Sequence, residues 1–378
     1  MNRVIDNVLH RLLCMKWHRE LDCQYRNVLK LNNISSTDKS KEKLWMRKWG
    51  GGYKVPISAL QYRVFRNYIG DDINIVPEEV LHLVIEPVLN SKMAAGFYGD
   101  KNFFEKILPP SYLPKTILRK IRGQFYDKDY KIIDLNNFHI AEILCGVEAK
   151  KLIIKPSVDG ESGRGVLLFN FCDSDKCWKS NNIILTKDYL TKCLGDDIII
   201  QEAIEQHAAI AKFNSSSVNT LRLAVYRSVK DEQCHVTGAI MRIGNHGSVV
   251  DNAHQGGCFI GINKNGKLNH LVCNQYGQTC QTFNGIDFSQ DFYYPEWKSV
   301  ILFAKDVCKH IIHHRLVALD IAVDTNGSPK LIEYNITPGS FSSWLFQYSV
   351  GSVFGDFTDE ILEYCQMITN RTPTYKLK

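Results

Sequence analysis

The sequence predicts an α+β fold: a mostly helical N-terminal unit, residues 1–95, followed by a region rich in antiparallel sheet. Three observations predict it. Residues before about 95 carry helical spacing and helix-start chemistry. From Lys101 onward, short β-rich runs alternate with helical ones. Residues 318–339, ALDIAVDTNGSPKLIEYNITPG, read as a β-hairpin whose strands are joined by turn residues.

In chain order, residues 1–30 set Val4, Val8, Leu9, Leu12, Leu13 and Val28 among many charges, the pattern of an amphipathic helix docked on the protein. Arg3, Arg11, Lys16 and Arg19 also allow peripheral membrane contact. The polar run 32–43 and the glycines after Trp49 separate that helix from the next ones. Ser58–Tyr68 and Pro77–Leu89 read as helices, the second opened by Pro77-Glu78-Glu79. Lys101–Ile107 and Asn137–Cys145 have helical texture. Pro114–Arg119, Lys131–Leu135, Lys151–Lys155, Gly165–Phe171, Asp197–Glu202, Thr220–Arg227 and His235–Ile243 have strand texture. Trp297–Ile312 leads into the hairpin as a helix, and Phe357–Thr369 closes the chain as another.

Composition excludes several classes. A hydrophobic fraction of 44% with 23% charged residues matches an ordinary globular chain and excludes a disordered one. A net charge of +6 over 378 residues suits small anionic substrates and excludes a dedicated nucleic-acid binder. No apolar run is long enough to span a membrane, and the N-terminus lacks the pattern of a signal peptide. The twelve cysteines are scattered, and none forms C-x-x-C. Cys172 and Cys177 have no matching ligand pair, so buried thiols in a reducing, cytoplasmic compartment are expected rather than a zinc site. His313-His314 near His310 could bind metal, but beside Lys309 and Arg315 they read rather as the polar end of a helix.

The hairpin carries the chemistry. Glu333 and Asn335 are two residues apart and share a face, and Asp320 can meet them from the facing strand. Two carboxylates and an amide oxygen form a hard oxygen set suited to Mg²⁺ bridged to phosphates; alone, they also read as a solvated sheet edge. Lys155 ends the strand LIIK and precedes a loop with Ser157, Gly160, Gly163 and Gly165. Glycines let backbone N–H groups close over phosphate oxygens, and lysine adds a point charge. The loop lacks the G-K-[S/T] of a P-loop and opens no helix, which excludes a dinucleotide fingerprint. Gln201, Glu202 and Ile204 end an apolar strand that can pair with an adenine rim and ribose hydroxyls. Arg222 follows Asn219-Thr220 and reads as a phosphate or carboxylate clamp, or as a structural ion pair. Asp251, Asn252, Gly256 and Gly257 form a polar, glycine-bearing loop, and His207 and His254 are not assigned as bases.

In this order, the lysine with its glycine loop, the IIIQEAI strand and the D…E-x-N hairpin resemble the ATP-grasp superfamily, over roughly residues 95–345. EYNITPG, Glu333–Gly339, resembles the metal-binding segment of D-alanine–D-alanine ligases, and Gly99-Asp-Lys101 resembles their D-K helix. QEAIEQH, SVNTLR, VDNAHQGG and the N-terminal IVPEEV…IEPVLN resemble the sugar-transfer-associated ATP-grasp family. The resemblance implies two α+β lobes closing on ATP, residues 96–205 and 206–378, after the helical unit. It implies Lys101 and Lys155 on ATP phosphates, with Mg²⁺ on Asp320, Glu333 and Asn335. It also implies an acceptor region around Asn219, Arg222, Asp251, Asn252, Gly256, Gly257, Pro338 and Gly339. The expected activity is ATP-dependent ligation of a carboxylate to an amine through an acyl phosphate in surface-glycan biosynthesis, with Arg222 and Lys155 as catalytic groups. Its partners would be an amino acid and a sugar or glycan precursor. A sugar or polyol kinase, and a non-catalytic nucleotide-binding partner of a glycosyltransferase system, are the alternatives.

Overall fold

In a computed structural model, described over residues 2–34, 38–53, 55–134, 144, 147–158, 160, 163–336 and 339–377, two seven-stranded sheets follow a helical segment. The helices are Asn2–Leu31, Lys39–Gly50 and Ala59–Ile69, then a composite of Glu78–Val80, a π-helical turn Leu81–Ile85, and Glu86–Leu89. Local chemistry starts them, and Lys39–Gly50 begins inside the run 32–43 that was expected to be a polar loop. Asp38 accepts from Ser40 N at 2.8 Å, and Ser58 Oγ accepts from Leu60 N at 3.3 Å, each satisfying an orphan N–H of a first turn.

The first sheet is built from β1 (Thr116–Ile121), β2 (Gln124–Asp127), β3 (Lys151–Pro156), β4 (Leu167–Cys172), β5 (Cys177–Ser180), β6 (Ile183–Ile184) and β7 (Ile198–Glu202), in the order β2-β1-β7-β3-β4-β5-β6. The second contains β8 (Leu221–Arg227), β9 (Cys234–Ile243), β10 (Cys258–Ile262), β11 (Leu268–Cys273) and β12 (Thr279–Cys280). A small hairpin, β13 (Thr282–Phe283) and β14 (Ile286–Asp287), follows, and β15 (Leu316–Val323) and β16 (Pro329–Asn335) complete the order β12-β11-β10-β9-β8-β15-β16. Neighbouring strands pair antiparallel in both sheets.

Period-2 alternation gives the second sheet two buried faces. Leu223, Val225, Met241 and Leu319 pack under the helix Trp297–His310. Ala224, Tyr226, Ile240 and Phe259 share a core with Tyr25, Trp45, Phe65 and Val84 of the N-terminal helices. The helical segment therefore buries its apolar faces on the sheet. The first sheet has its own smaller core around Leu152, Ile154, Phe169 and Ile200.

Several local expectations need correction. In the hairpin turn only Gly327 takes positive φ (+81°); Asn326 does not, because Asp324 Oδ1 accepts from the N–H groups of Asn326 and Ser328, both at 2.9 Å, and sets a five-residue loop. Ile132 makes a single bridge to Tyr126 in place of the expected strand. Asn137–Cys145 lies outside the described residues except Leu144. His314 lines no polar helix end: it is buried, bridges to Asn90, and its Nε2 lies 3.0 Å from Ser91 O. Eleven cysteines are described, and all are free. No helix of the described residues is long and apolar enough to cross a membrane.

Burial pushes the His314 imidazole down to about 4, from an ordinary 6.5. Between those values the unfolded chain takes up a proton that the folded chain refuses. This contribution to stability is complete above pH 6.5 and is lost as pH falls to 4. His314→Asn is expected to flatten the fall in unfolding free energy between pH 7 and pH 4 by up to roughly 3 kcal/mol. Urea titrations of both proteins across that range check it; parallel slopes would refute it.

Candidate active site

Strand β15 supplies the carboxylate around which the site is built. All of Leu316–Val323 is buried, and Asp320 has no exposed surface. A charge there must be paired. Strand register puts Arg222 of β8 on one side of Asp320 and Glu333 of β16 on the other. Arg222 makes a two-pronged pair, Nε to Oδ1 at 2.8 Å and Nη2 to Oδ2 at 2.9 Å. Arg242 of β9 adds Nη2 to Oδ2 at 3.0 Å. Burial opposes the charge on Asp320, but the two guanidiniums outweigh it and hold the carboxyl well below the usual range.

Arg242 is secured in turn. Its Nε and Nη2 donate to Thr220 Oγ1 at 2.9 and 2.7 Å. Asp251 accepts from Thr220 N at 2.7 Å and lies 3.6 Å from Arg242 Nη2. Burial works against the Arg242 charge, and Asp251 and Asp320 more than restore it. Arg222 Nη1 also reaches Ser340 O and Ser342 Oγ, each at 3.4 Å.

A bulge shapes the other half of the hairpin. Asp320 pairs with Glu333 but Ile321 pairs with Leu331, so Ile332 is the extra residue. Lys155 Nζ, from the first sheet, points to the Ile332 carbonyl at 3.5 Å. Lys101 Nζ stands 3.1 Å from Glu333 Oε2. Burial first, and then the charge of Lys101, push the Lys155 ammonium down to about 8, with Glu333 and Asp320 opposing. The glycine loop closes on the same place. Lys101 N donates to Ser157 O at 3.0 Å, and a Cβ on Gly160 would lie 3.8 Å from Lys101 Nζ. A Cβ on Gly163, at φ +73°, would lie 3.1 Å from Val250 of the 244–257 loop, and one on Gly165 would lie 3.0 Å from Pro156. The Ser157 hydroxyl is buried and has no hydrogen-bond partner.

The structure thus brings together Lys101, Lys155, Ser157, Gly160, Asp320 and Glu333. Asn335 lies on the same strand as Glu333, its Nδ2 donating to Ala318 O at 3.3 Å, which leaves Oδ1 as its acceptor atom. Among the described residues no group of three or more His, Cys, Asp or Glu can hold a metal ion. The donor chemistry, two carboxylates and an amide, suits a hard divalent cation, but Arg222, Arg242 and Lys101 already stand on the carboxylates.

Other expected residues are engaged elsewhere. Gln201 Nε2 donates to Pro114 O and Thr116 Oγ1 within the sheet, at 3.2 and 3.3 Å, and Glu202 lies 3.0 Å from Lys115. Half-buried Ile204 comes just after the strand. The Asn219 Nδ2 is spent on Gln206, Ile210 and Asn214, which folds the 206–219 loop, while its Oδ1 is buried without a hydrogen-bond partner. The Gly256 and Gly257 N–H groups are a correction, because they donate inside their own loop to Ala253 O and Asn252 O, at 3.3 and 3.2 Å. A Cβ on Gly257 would lie 2.9 Å from Asn252 O, so close backbone approach explains that glycine. Asp251 orients Thr220 and Arg242. Pro338 lies outside the described residues; Gly339 N donates to Glu86 Oε2 at 3.3 Å. Sequence reasoning missed Arg242, Thr220 and Glu86. An arginine inside the apolar run GAIMRIG was the available signal for Arg242.

The family model for sugar-transfer-associated ATP-grasp proteins matches residues 85–353. The chain belongs to that family. Solved structures similar to this ATP-grasp chain include an L-amino acid ligase from Bacillus licheniformis (11% identity, 70% of this chain and 47% of that one, TM-score 0.38). They also include the D-alanine–D-alanine ligase from Bacillus anthracis (13%, 75% and 72%, 0.38) and the VanG D-Ala:D-Ser ligase from Enterococcus faecalis (13%, 74% and 64%, 0.41). The ATP-grasp chain thus spans about half the length of the L-amino acid ligase. No curated protein matches it in sequence.

Because Asp320 is fully buried, removing one guanidinium leaves its charge under-compensated. Arg222→Ala is expected to cost about 3 kcal/mol in urea unfolding, and Arg222→Ala with Asp320→Asn less than the sum of the two single changes. Additive losses would mean that the pair is not coupled.

Proposed function

We propose that the chain is an ATP- and Mg²⁺-dependent carboxylate–amine ligase that works through an acyl phosphate and joins an amino acid to a uronic acid or sugar amine during glycan assembly. Membership of the sugar-transfer-associated family supports the setting. The observation that carries the reaction is the meeting of two lysines, the glycine loop and Glu333 at one end of the hairpin. In this reading residues 96–205 and 206–378 are the two lobes, and 1–95 covers the second.

The residues divide the work by charge. Lys101 and Lys155, with Ser157 and the loop of Gly160, Gly163 and Gly165, hold phosphate oxygens. Gln201, Glu202 and Ile204 border the base and ribose. Asp320, Glu333 and Asn335 would hold Mg²⁺, which would neutralise phosphate charge when bound. Lys101 moves from Glu333 to phosphate as the nucleotide enters. Arg222 and Arg242 keep positive charge beside the carboxylate where the acyl phosphate forms. Positioning and electrostatics dominate such a transfer, so no general base is required of the chain.

Two measurements test this reading. Glu333→Gln is expected to lower carboxylate- and amine-dependent ADP release by at least roughly a hundredfold while leaving the thermal midpoint near that of the parent. Unchanged turnover would remove Glu333 from the metal set. Because Lys155 sits near 8, incoming phosphates raise it, and ATP binding at pH 8.5 takes up protons. Calorimetry in buffers of different ionisation enthalpy reads that uptake, and Lys155→Met abolishes it.

A further inference from the structure

The first helix, Asn2–Leu31, carries an apolar stripe that the ligase reading does not use. Its inner side is Cys14, Trp17, Leu21, Tyr25 and Val28, spaced three and four apart and packed into the core shared with the second sheet. Val8, Leu9, Leu12 and Leu13 follow i, i+1, i+4, i+5 and fall on the opposite side. With Met15 they are between 44% and 58% exposed. The two turns of residues 8–15 thus present apolar side chains to solvent, on the helix whose other side is packed from Cys14 onward. Further along, the outer side is polar, with Lys16, Arg19, Glu20, Arg26 and Lys30 exposed.

Charge identifies the partner. Residues 7–19 hold Arg11, Lys16 and Arg19 and no acidic residue. Glu20 lies 3.8 Å from Lys16, but a second protein surface made only of apolar groups would leave Arg11 and Arg19 unanswered. An anionic bilayer answers both features: the leucines enter the headgroup–acyl boundary, and the Arg and Lys stems reach lipid phosphates. The same helix adjoins the candidate site. A Cβ on Gly339 would lie 3.7 Å from the Trp17 ring, and His18 Nδ1 lies 3.2 Å from Glu79 Oε1. We infer that the outer face of the first helix seats the protein on an anionic membrane surface. The loop after the metal hairpin then lies about one helix diameter, roughly 10 Å, from the lipid. For the ligase reading, on which this last step rests, the acceptor is one presented at that surface.

Vesicle flotation with the full chain tests the seat without nucleotide. The probes are vesicles of phosphatidylcholine alone and of phosphatidylcholine mixed with phosphatidylglycerol. The parent protein is expected to float with the anionic vesicles at low salt and to remain behind with the neutral ones. Leu9→Glu with Leu12→Glu, both exposed positions, lowers the bound fraction at least roughly tenfold with unchanged thermal unfolding. Arg11→Gln with Lys16→Gln weakens binding to anionic vesicles. Equal flotation of the parent and the double-glutamate variant overturns the proposal, as does no flotation of the parent. If the parent sediments as a dimer that the double-glutamate variant breaks, and neither floats, the face belongs to a second copy and the proposal fails. Glu333→Gln floats like the parent, so loss of ligase activity and loss of the seat are read separately.

Discussion

A full negative charge in the middle of a buried strand is the constraint on which the rest of the site depends. Asp320 has no exposed surface, and an unpaired carboxylate at such a position costs several kcal/mol. Arg222 and Arg242 answer it from the two next strands, and each needs further partners to be held. Thr220 and Asp251 fix Arg242, and Ser340 and Ser342 receive the remaining end of Arg222. One carboxylate therefore ties β8, β9, β15 and the loop after β16 into a single electrostatic unit. Lys101, on Glu333, is the further cation beside this unit.

The bulge at Ile332 gives that arrangement its second anchor. The extra residue sits where Lys155, reaching across from the other sheet, meets the Ile332 carbonyl at 3.5 Å. Lys155 is thereby placed in a desolvated position beside Lys101, where its charge is held only weakly. Two like charges brought together under burial raise the free energy of the empty site and favour an anion that neutralises both.

What was legible in the sequence was local. The hairpin, its Asp320–Glu333–Asn335 set and the glycine loop after Lys155 follow from period-2 patterning and turn chemistry within a few residues. Element types were legible for the same reason, and the family resemblance joined them in order. What escaped depends on non-local register. Arg242 becomes a partner of Asp320 only because β9 and β15 both flank β8, and the Ile332 bulge shifts a pairing that simple alternation cannot reveal. Gly256 and Gly257 had the composition of a binding loop, yet their N–H groups are consumed in folding the 252–257 loop. Composition names the atoms that can bind; only packing decides which are already spent.

The N-terminal segment belongs to the same framework, although the family match begins at residue 85. Glu78, His82 and Glu86 are all buried and form a row: His82 Nδ1 lies 2.8 Å from Glu86 Oε2, and His82 Nε2 lies 3.9 Å from Glu78 Oε2. Four residues of α-helix turn roughly 400°, so successive i, i+4 positions drift by about 40°. The wider π-helical turn at Leu81–Ile85 works against that drift and keeps the row in line. Burial opposes a charge on His82, but Glu86 and Glu78 outweigh it and raise its pKa. Glu86 passes the row on to Gly339 N, in the loop past Asn335, while Tyr25 of the first helix donates to Glu78 at the far end. The loop that leaves the β15–β16 hairpin is thus held on one side by Arg222 and on the other by a buried acidic row. That row ends on the first helix, so helix and loop are joined through one chain of buried hydrogen bonds and ion pairs.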